Sequence, residues 1–74
     1  MEQVRLTAII EREDDGYVSL CPDVDVASQG GSVEEARATL IEALTLFFEA
    51  ASKAEVNRRL RSETLITQVE VPVG

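Results

Sequence analysis

Residues 26–36 read Val26-Ala27-Ser28-Gln29-Gly30-Gly31-Ser32-Val33-Glu34-Glu35-Ala36, and within them the apolar period changes from two to about 3.6. Val26 to Gln29 is a short strand, and Gly30-Gly31 ends it flexibly and permits a sharp turn. Ser32-Val33-Glu34-Glu35 matches a capping box. The Glu35 amide can donate to the Ser32 hydroxyl while the Glu35 carboxylate accepts from the Ser32 amide. Such a cap contributes about 1 kcal/mol, and Glu34 and Glu35 suit the positive end of the helix dipole. Val33, Ala36, Leu40, Ala43, Leu44 and Phe47 then recur three and four apart, which predicts a helix over 33–51. Ile41, Leu46 and Phe48 fall off that stripe. They read as a wide buried face or as isolated exposed apolar residues, with a second contact face as the alternative.

Upstream, Val4-Arg5-Leu6-Thr7-Ala8-Ile9-Ile10-Glu11 alternates as a half-buried strand, with Val4, Leu6, Ala8 and Ile10 on one face. Asp15-Gly16 after Glu13-Asp14 marks a hairpin turn, in which glycine allows the positive φ and aspartate tolerates it comparatively well. Tyr17-Val18-Ser19-Leu20-Cys21 returns, with Val18 and Leu20 expected toward the core and Tyr17 and Ser19 opposite. Pro22-Asp23-Val24-Asp25 is a corner, because proline cannot donate to a ladder.

Downstream, Lys53–Arg61 holds Val56 and Leu60 four apart and reads as another helical turn or two. Its bases complement the helix C-terminus, with a functional basic patch as the other reading. Residues 64–73 alternate Leu65, Thr67, Val69, Val71 and Val73 against Ile66, Gln68, Glu70 and Pro72. That is a last strand, with Pro72 favouring an edge. The expected fold is α+β, β-β-β-α-β, in one domain spanning residues 1–74. A right-handed crossover through one helix returns the fourth strand beside the first, giving a mixed four-stranded sheet of order 3-2-1-4 with the helix on one face.

The chain has 74 residues, 14 acids, 7 Lys and Arg, and no histidine, for a formal net charge of −7. That balance opposes sequence-independent nucleic-acid binding, which needs cations to neutralise phosphates. The lack of histidine removes Ser-His-Asp and Cys-His catalysis and imidazole metal sites. Residues 1–52 carry 11 acids against 3 bases, whereas 53–63 carry four bases and two acids. The acidic surface serves solubility or complements a basic partner. No apolar run is long enough to span a membrane, and Met1-Glu2-Gln3 does not start like a signal peptide. The lone Cys21 forms no intrachain disulfide, so the cytoplasm is the expected compartment. So small a domain without disulfide or metal is expected to gain burial as a homo-oligomer, a dimer or larger.

Groups that might carry chemistry read blandly. Glu11, Glu42 and Glu70 come from three elements as in a two-metal site, but they lie off the core-facing stripes. Glu13-Asp14-Asp15-Gly16 lacks the ligand spacing and closing glutamate of a calcium loop. Cys21 has no neighbouring base in sequence to lower its pKa. No cofactor and no catalytic residue are expected.

Taken in order, Asp15-Gly16-Tyr17-Val18, Pro22-Asp23, Ser28-Gln29-Gly30, Ser32-Val33-Glu34-Glu35-Ala36 and Glu42-Ala43-Leu44 resemble the HicB-like antitoxin family over about residues 4–50. The resemblance implies a partial RNase H fold without nuclease activity, in agreement with the strand order above. It implies an antitoxin that neutralises a HicA-type mRNA-cleaving toxin by protein–protein occlusion. Asp25-Val26 stands where that family often has Pro-Gly, and Gly30-Gly31 where it usually has Gly-Asp, differences that affect loop shape. Family members often append a DNA-binding domain; here residues 52–74 are needed for the fourth strand, so direct nucleic-acid binding is not expected. The alternative is a stand-alone oligomeric module that binds a protein or ligand without a toxin partner. If recognition is electrostatic, the acids of the two turns, Glu13, Asp14, Asp15, Asp23 and Asp25, are the candidate partner-binding residues.

Overall fold

Three antiparallel strands form the sheet in a computed structural model that describes residues 4–61 and 65–74. They are β1 (Ile9–Glu13), β2 (Gly16–Cys21) and β3 (Val26–Gly30), in the spatial order β1-β2-β3. Two helices follow, α1 (Val33–Ala50) and α2 (Lys53–Arg61). The class is α+β. Thr64, where the sequence starts the last strand, lies outside the described residues. Residues 65–74 make no ladder pairing and all are exposed, so the sheet of the described residues has three strands and shows no fourth.

The β1–β2 hairpin closes with Glu13 opposite Gly16, leaving Asp14 and Asp15 as the turn. The positive φ belongs to Asp14, at 51°, and not to Gly16 as the sequence suggests. Gly16 is needed for a different reason. A Cβ there would lie 2.9 Å from the Gly30 carbonyl oxygen on the neighbouring strand, too close for any side chain. Gly30 is tighter still, since its Cβ would meet the backbone of Glu35 and Ala36, and its absence lets α1 settle on the end of β3.

The facing of β2 is the reverse of the sequence expectation. Register pairs Ile10 with Ser19 and Ser19 with Ser28, so these three share one face, and α1 covers it. Ser19 and Cys21 are buried beneath the helix, whereas Leu20 is 37% exposed on the open face with Ile9 and Ala27. Small residues win the inner face because α1 lies close. The Ser19 hydroxyl donates to the Ala36 carbonyl at 2.9 Å, which meets its hydrogen-bonding need in a site that a leucine would overfill.

The core is Cys21, Val24 and Leu40, with Leu6, Val26, Leu44, Phe47 and Phe48 packed around it. Val24 belongs to the corner after Pro22 yet is 1% exposed, a core contribution that alternation does not reveal. On α1, Ala36 and Leu40 are buried and Ala43, Leu44 and Phe47 half-buried, as the stripe predicts, while Val33 at its start is exposed. Of the three off-stripe residues, Phe48 packs on the core, edge to face with Phe47, and Ile41 and Leu46 stay exposed.

The Glu35 amide donates to Ser32 Oγ at 3.1 Å, as the capping box requires. The Glu35 carboxylate, however, accepts from the Gly31 amide, one residue before the expected partner. The expected fold counts one helix, with Lys53–Arg61 as a further turn or two; the structure has two separate helices. The helix ends at Ala50, with no base in its last turn. The basic run therefore does not cap α1. It forms α2, started by the Ser52 hydroxyl accepting from the Glu55 amide at 3.1 Å. Ser52-Lys53-Ala54-Glu55 repeats the cap pattern of Ser32–Glu35, and that was the signal for a new helix.

Candidate functional site: an acidic recess at the hairpin end

The antiparallel register brings the end of β3 beside the start of β2, so Tyr17 pairs with Gly30. The N-terminus of α1 therefore sits next to the β1–β2 turn. Between them lies an open recess of about 560 Å³, lined among others by Glu13, Asp14, Asp15, Tyr17, Gln29 and Glu35. No lysine or arginine lines it. Glu13, Asp14 and Asp15 are exposed, and among the described residues none of them forms an ion pair or a side-chain hydrogen bond. Glu35 is partly committed to the Gly31 amide. Tyr17 stands at the rim with the Arg12 guanidinium 5.9 Å from its ring, a cross-strand pair that holds the hairpin end. The recess is an open surface of negative charge between the hairpin and the start of α1.

The sequence grouped five acids, but the structure separates them. Asp23 and Asp25 lie in the β2–β3 corner, at the far end of β2 from Asp14 and Asp15. Six residues of strand put roughly 17–20 Å between the two turns. The Asp23 carboxylate is not free: its Oδ2 accepts from the Thr7 amide at 2.7 Å and from the Cys21 thiol at 3.7 Å. Asp23 thus ties the segment before β1 to the corner. Asp25 is exposed, with φ 58°, a conformation that aspartate tolerates better than most residues. Glu13, Asp14 and Asp15 line the recess with Glu35, although the register sets Glu13 on the open face of the sheet with Ile9 and Leu20.

The remaining chemistry-bearing groups lie apart. Among the described residues no group of three or more His, Cys, Asp or Glu is placed to hold a metal ion. Cys21 is buried, and desolvation raises its thiol pKa above the ordinary value, the Asp23 charge adding to the effect, against hydrogen bonds from the Val24 and Asp23 backbone. A protonated, inaccessible thiol is a poor nucleophile. Arg59 on α2, one of the bases of the candidate basic patch, is used internally. It donates to the Val24 carbonyl at 2.9 Å, pairs with Glu55 at 3.6 Å, and sits 5.8 Å from the centre of the Phe47 ring. No helix among the described residues is long and apolar enough to cross a membrane.

No profile of a known family matches the chain. No solved structure matches it either. Over 72 residues it is 36% identical to the UPF0150 protein ssl0738 of Synechocystis sp. (strain ATCC 27184 / PCC 6803 / Kazusa), an alignment covering 95% of this chain and 99% of that protein. Similarity at that level and nearly end to end takes in the hairpin, the corner, both helices and the segment beyond them. The chain belongs to the UPF0150 family.

Proposed function

We propose that this protein is a HicB-like antitoxin that neutralises a HicA-type mRNA-cleaving toxin by covering it, acting through binding and not through catalysis. The observation that carries the reading is the acidic recess. Glu13, Asp14, Asp15 and Glu35 all contribute to its lining, and among the described residues no lysine or arginine does. A ribonuclease must hold phosphates and so presents cations. Clustered carboxylates on a rigid hairpin complement such a surface, speed encounter and oppose RNA for the same ground. The ordered motifs from Asp15 to Leu44 support the family part of the reading. In this reading the fold is a partial RNase H fold, residues 65–74 supply the fourth strand beside β1 to give the order 3-2-1-4, and the protein works in the cytoplasm as a homo-oligomer.

The test is co-expression with any toxin-sized basic protein encoded beside this gene. Growth is expected to recover and the two proteins to copurify. Neither result, or no such neighbour, leaves the stand-alone oligomeric module as the better description. The recess is tested in the purified pair by Glu13→Lys, Asp14→Lys and Asp15→Lys together. Association should slow at least tenfold at low salt, and its salt dependence should flatten. Asp25→Lys, at the other end of the sheet, should change the rate far less. Equal effects at both ends would place the contact elsewhere.

A further inference from the structure

The strand register sorts the sheet into two faces of different character. Ser19 and Cys21 lie beneath α1, while Ile9, Leu20 and Ala27 stand side by side across the three strands on the other face. The next row toward the hairpin turn is Glu11, Val18 and Gln29, and beyond it Glu13 pairs with Gly16. Along its length this face therefore changes from an apolar row near the corner to carboxylates near the turn. Both helices pack elsewhere. Helix α1 holds Ser19 through the Ala36 carbonyl on the covered face, and Arg59 ties α2 to the Val24 carbonyl and the Phe47 ring. Leu20 is left 37% exposed, and Ala27 beside it is exposed too.

The open face runs into the acidic recess, for Glu13, Val18 and Gln29 belong to both. Val18 brings the apolar row within about 7 Å of the recess, two residues of strand. Glu11 and Glu13 are the only charged side chains that the three strands place on this face, since Arg12 alternates to the other and lies against Tyr17. Carboxylates at an exposed recess do not by themselves hold a partner. Exposed ion pairs contribute little and are screened by salt, whereas side chains buried at the centre of an interface carry most of the affinity. The row of Ile9, Leu20 and Ala27 is the apolar surface that continues from the recess, while the exposed Ile41 and Leu46 belong to α1 on the far side of the sheet.

We propose that the basic partner received at the recess extends over this face, setting apolar side chains against Val18, Leu20 and Ala27 and lysine or arginine against Glu11 and Glu13. This rests on the reading of the recess as a partner site and adds the surface that holds the complex together. The carboxylates govern how fast the pair forms, and the apolar row governs how long it lasts. The partner is thereby specified as a protein surface with an apolar patch bordered on one side by cations. Nucleic acid is itself anionic and does not fit, and a uniformly cationic peptide leaves the apolar row uncovered. A second copy of this chain offers only the same face, with no cation on it for Glu11 and Glu13.

The test uses the purified pair of full-length protein and copurified basic neighbour. Leu20→Ser should speed dissociation about tenfold and leave association nearly unchanged, the converse of the triple lysine variant at the hairpin turn. Ile41→Ser, on α1, should change neither rate. When isotope-labelled protein is titrated with the unlabelled neighbour, the amide signals of Ile9, Leu20 and Ala27 should shift together with those of Glu13, Asp14 and Asp15. An unchanged dissociation rate in Leu20→Ser, or shifts confined to the turn, would overturn this proposal and leave the recess as the whole contact. Association that the triple lysine variant does not slow would instead overturn the reading of the recess, and the absence of any complex would overturn both. If Leu20→Ser breaks up an oligomer of the free protein in light scattering, the face belongs to a second copy and the proposal also falls. Should Leu20→Ser lose its circular dichroism, the signal shifts of the wild-type pair decide alone.

Discussion

Cys21 and Asp23 stand two residues apart around Pro22, the first buried and the second half-buried. The Asp23 Oδ2 accepts from the Thr7 amide, and the Cys21 thiol donates to the same oxygen. Burial raises the thiol pKa, so the folded protein holds the proton to higher pH than the unfolded chain, whose thiol ionises at its ordinary value. Above that value the unfolded state binds fewer protons, and stability falls with rising pH until the folded pKa is passed. Below it the contribution is complete. Urea midpoints should therefore drop between about pH 8 and 10, and Cys21→Ala should shrink that drop. An identical drop in both proteins would show that the thiol is not its source. The same residues show what local chemistry discloses. A Pro-Asp corner is readable from the chain, but the use of Asp23 depends on Thr7, sixteen residues away.

Strand β2 shows how a regular element can be identified correctly and turned the wrong way. Alternation fixes only that Val18 and Leu20 share a face; which face is buried depends on what covers it. Hydrophobicity favours Leu20 inward, but the close approach of α1 favours Ser19 and Cys21, and the hydrogen bond to the Ala36 carbonyl removes the cost of burying the hydroxyl. The consequence is measurable. Ser19→Leu should lower stability by about 1–3 kcal/mol through overpacking, and Leu20→Ser should lower it by less, both read from urea unfolding. A larger loss in Leu20→Ser would reverse the assignment of faces. Helix α1, in contrast, was legible almost to its last residue, because its cap and stripe are local. Helix α2 was legible as helical but not as a separate unit, since the Ser52–Glu55 cap was hidden inside a run read for its charge.

The body of the protein is a thin layer of sheet and helix held at one end by the corner and α2 and open at the other as the acidic recess. Arg59 joins α2 to that body through the Val24 carbonyl and the Phe47 ring. Arg59→Gln should reduce hydrogen-exchange protection of α2 amides several-fold while leaving those of α1 nearly unchanged. Equal loss in both helices would mean that α2 is integral to the global folding unit. By itself the sequence determined the α+β class, β2 and β3, the hairpin and the corner, the capped helix and the acidic bias, all set by neighbours a few residues apart. The first strand, read over 4–11, is observed over Ile9–Glu13. Tertiary structure decided the facing of β2, the burial of Val24, the employment of Asp23 and Arg59, and which acids share a surface. Each of these depends on groups brought together from distant parts of the chain, and only the packed arrangement says which of several locally acceptable choices has a partner.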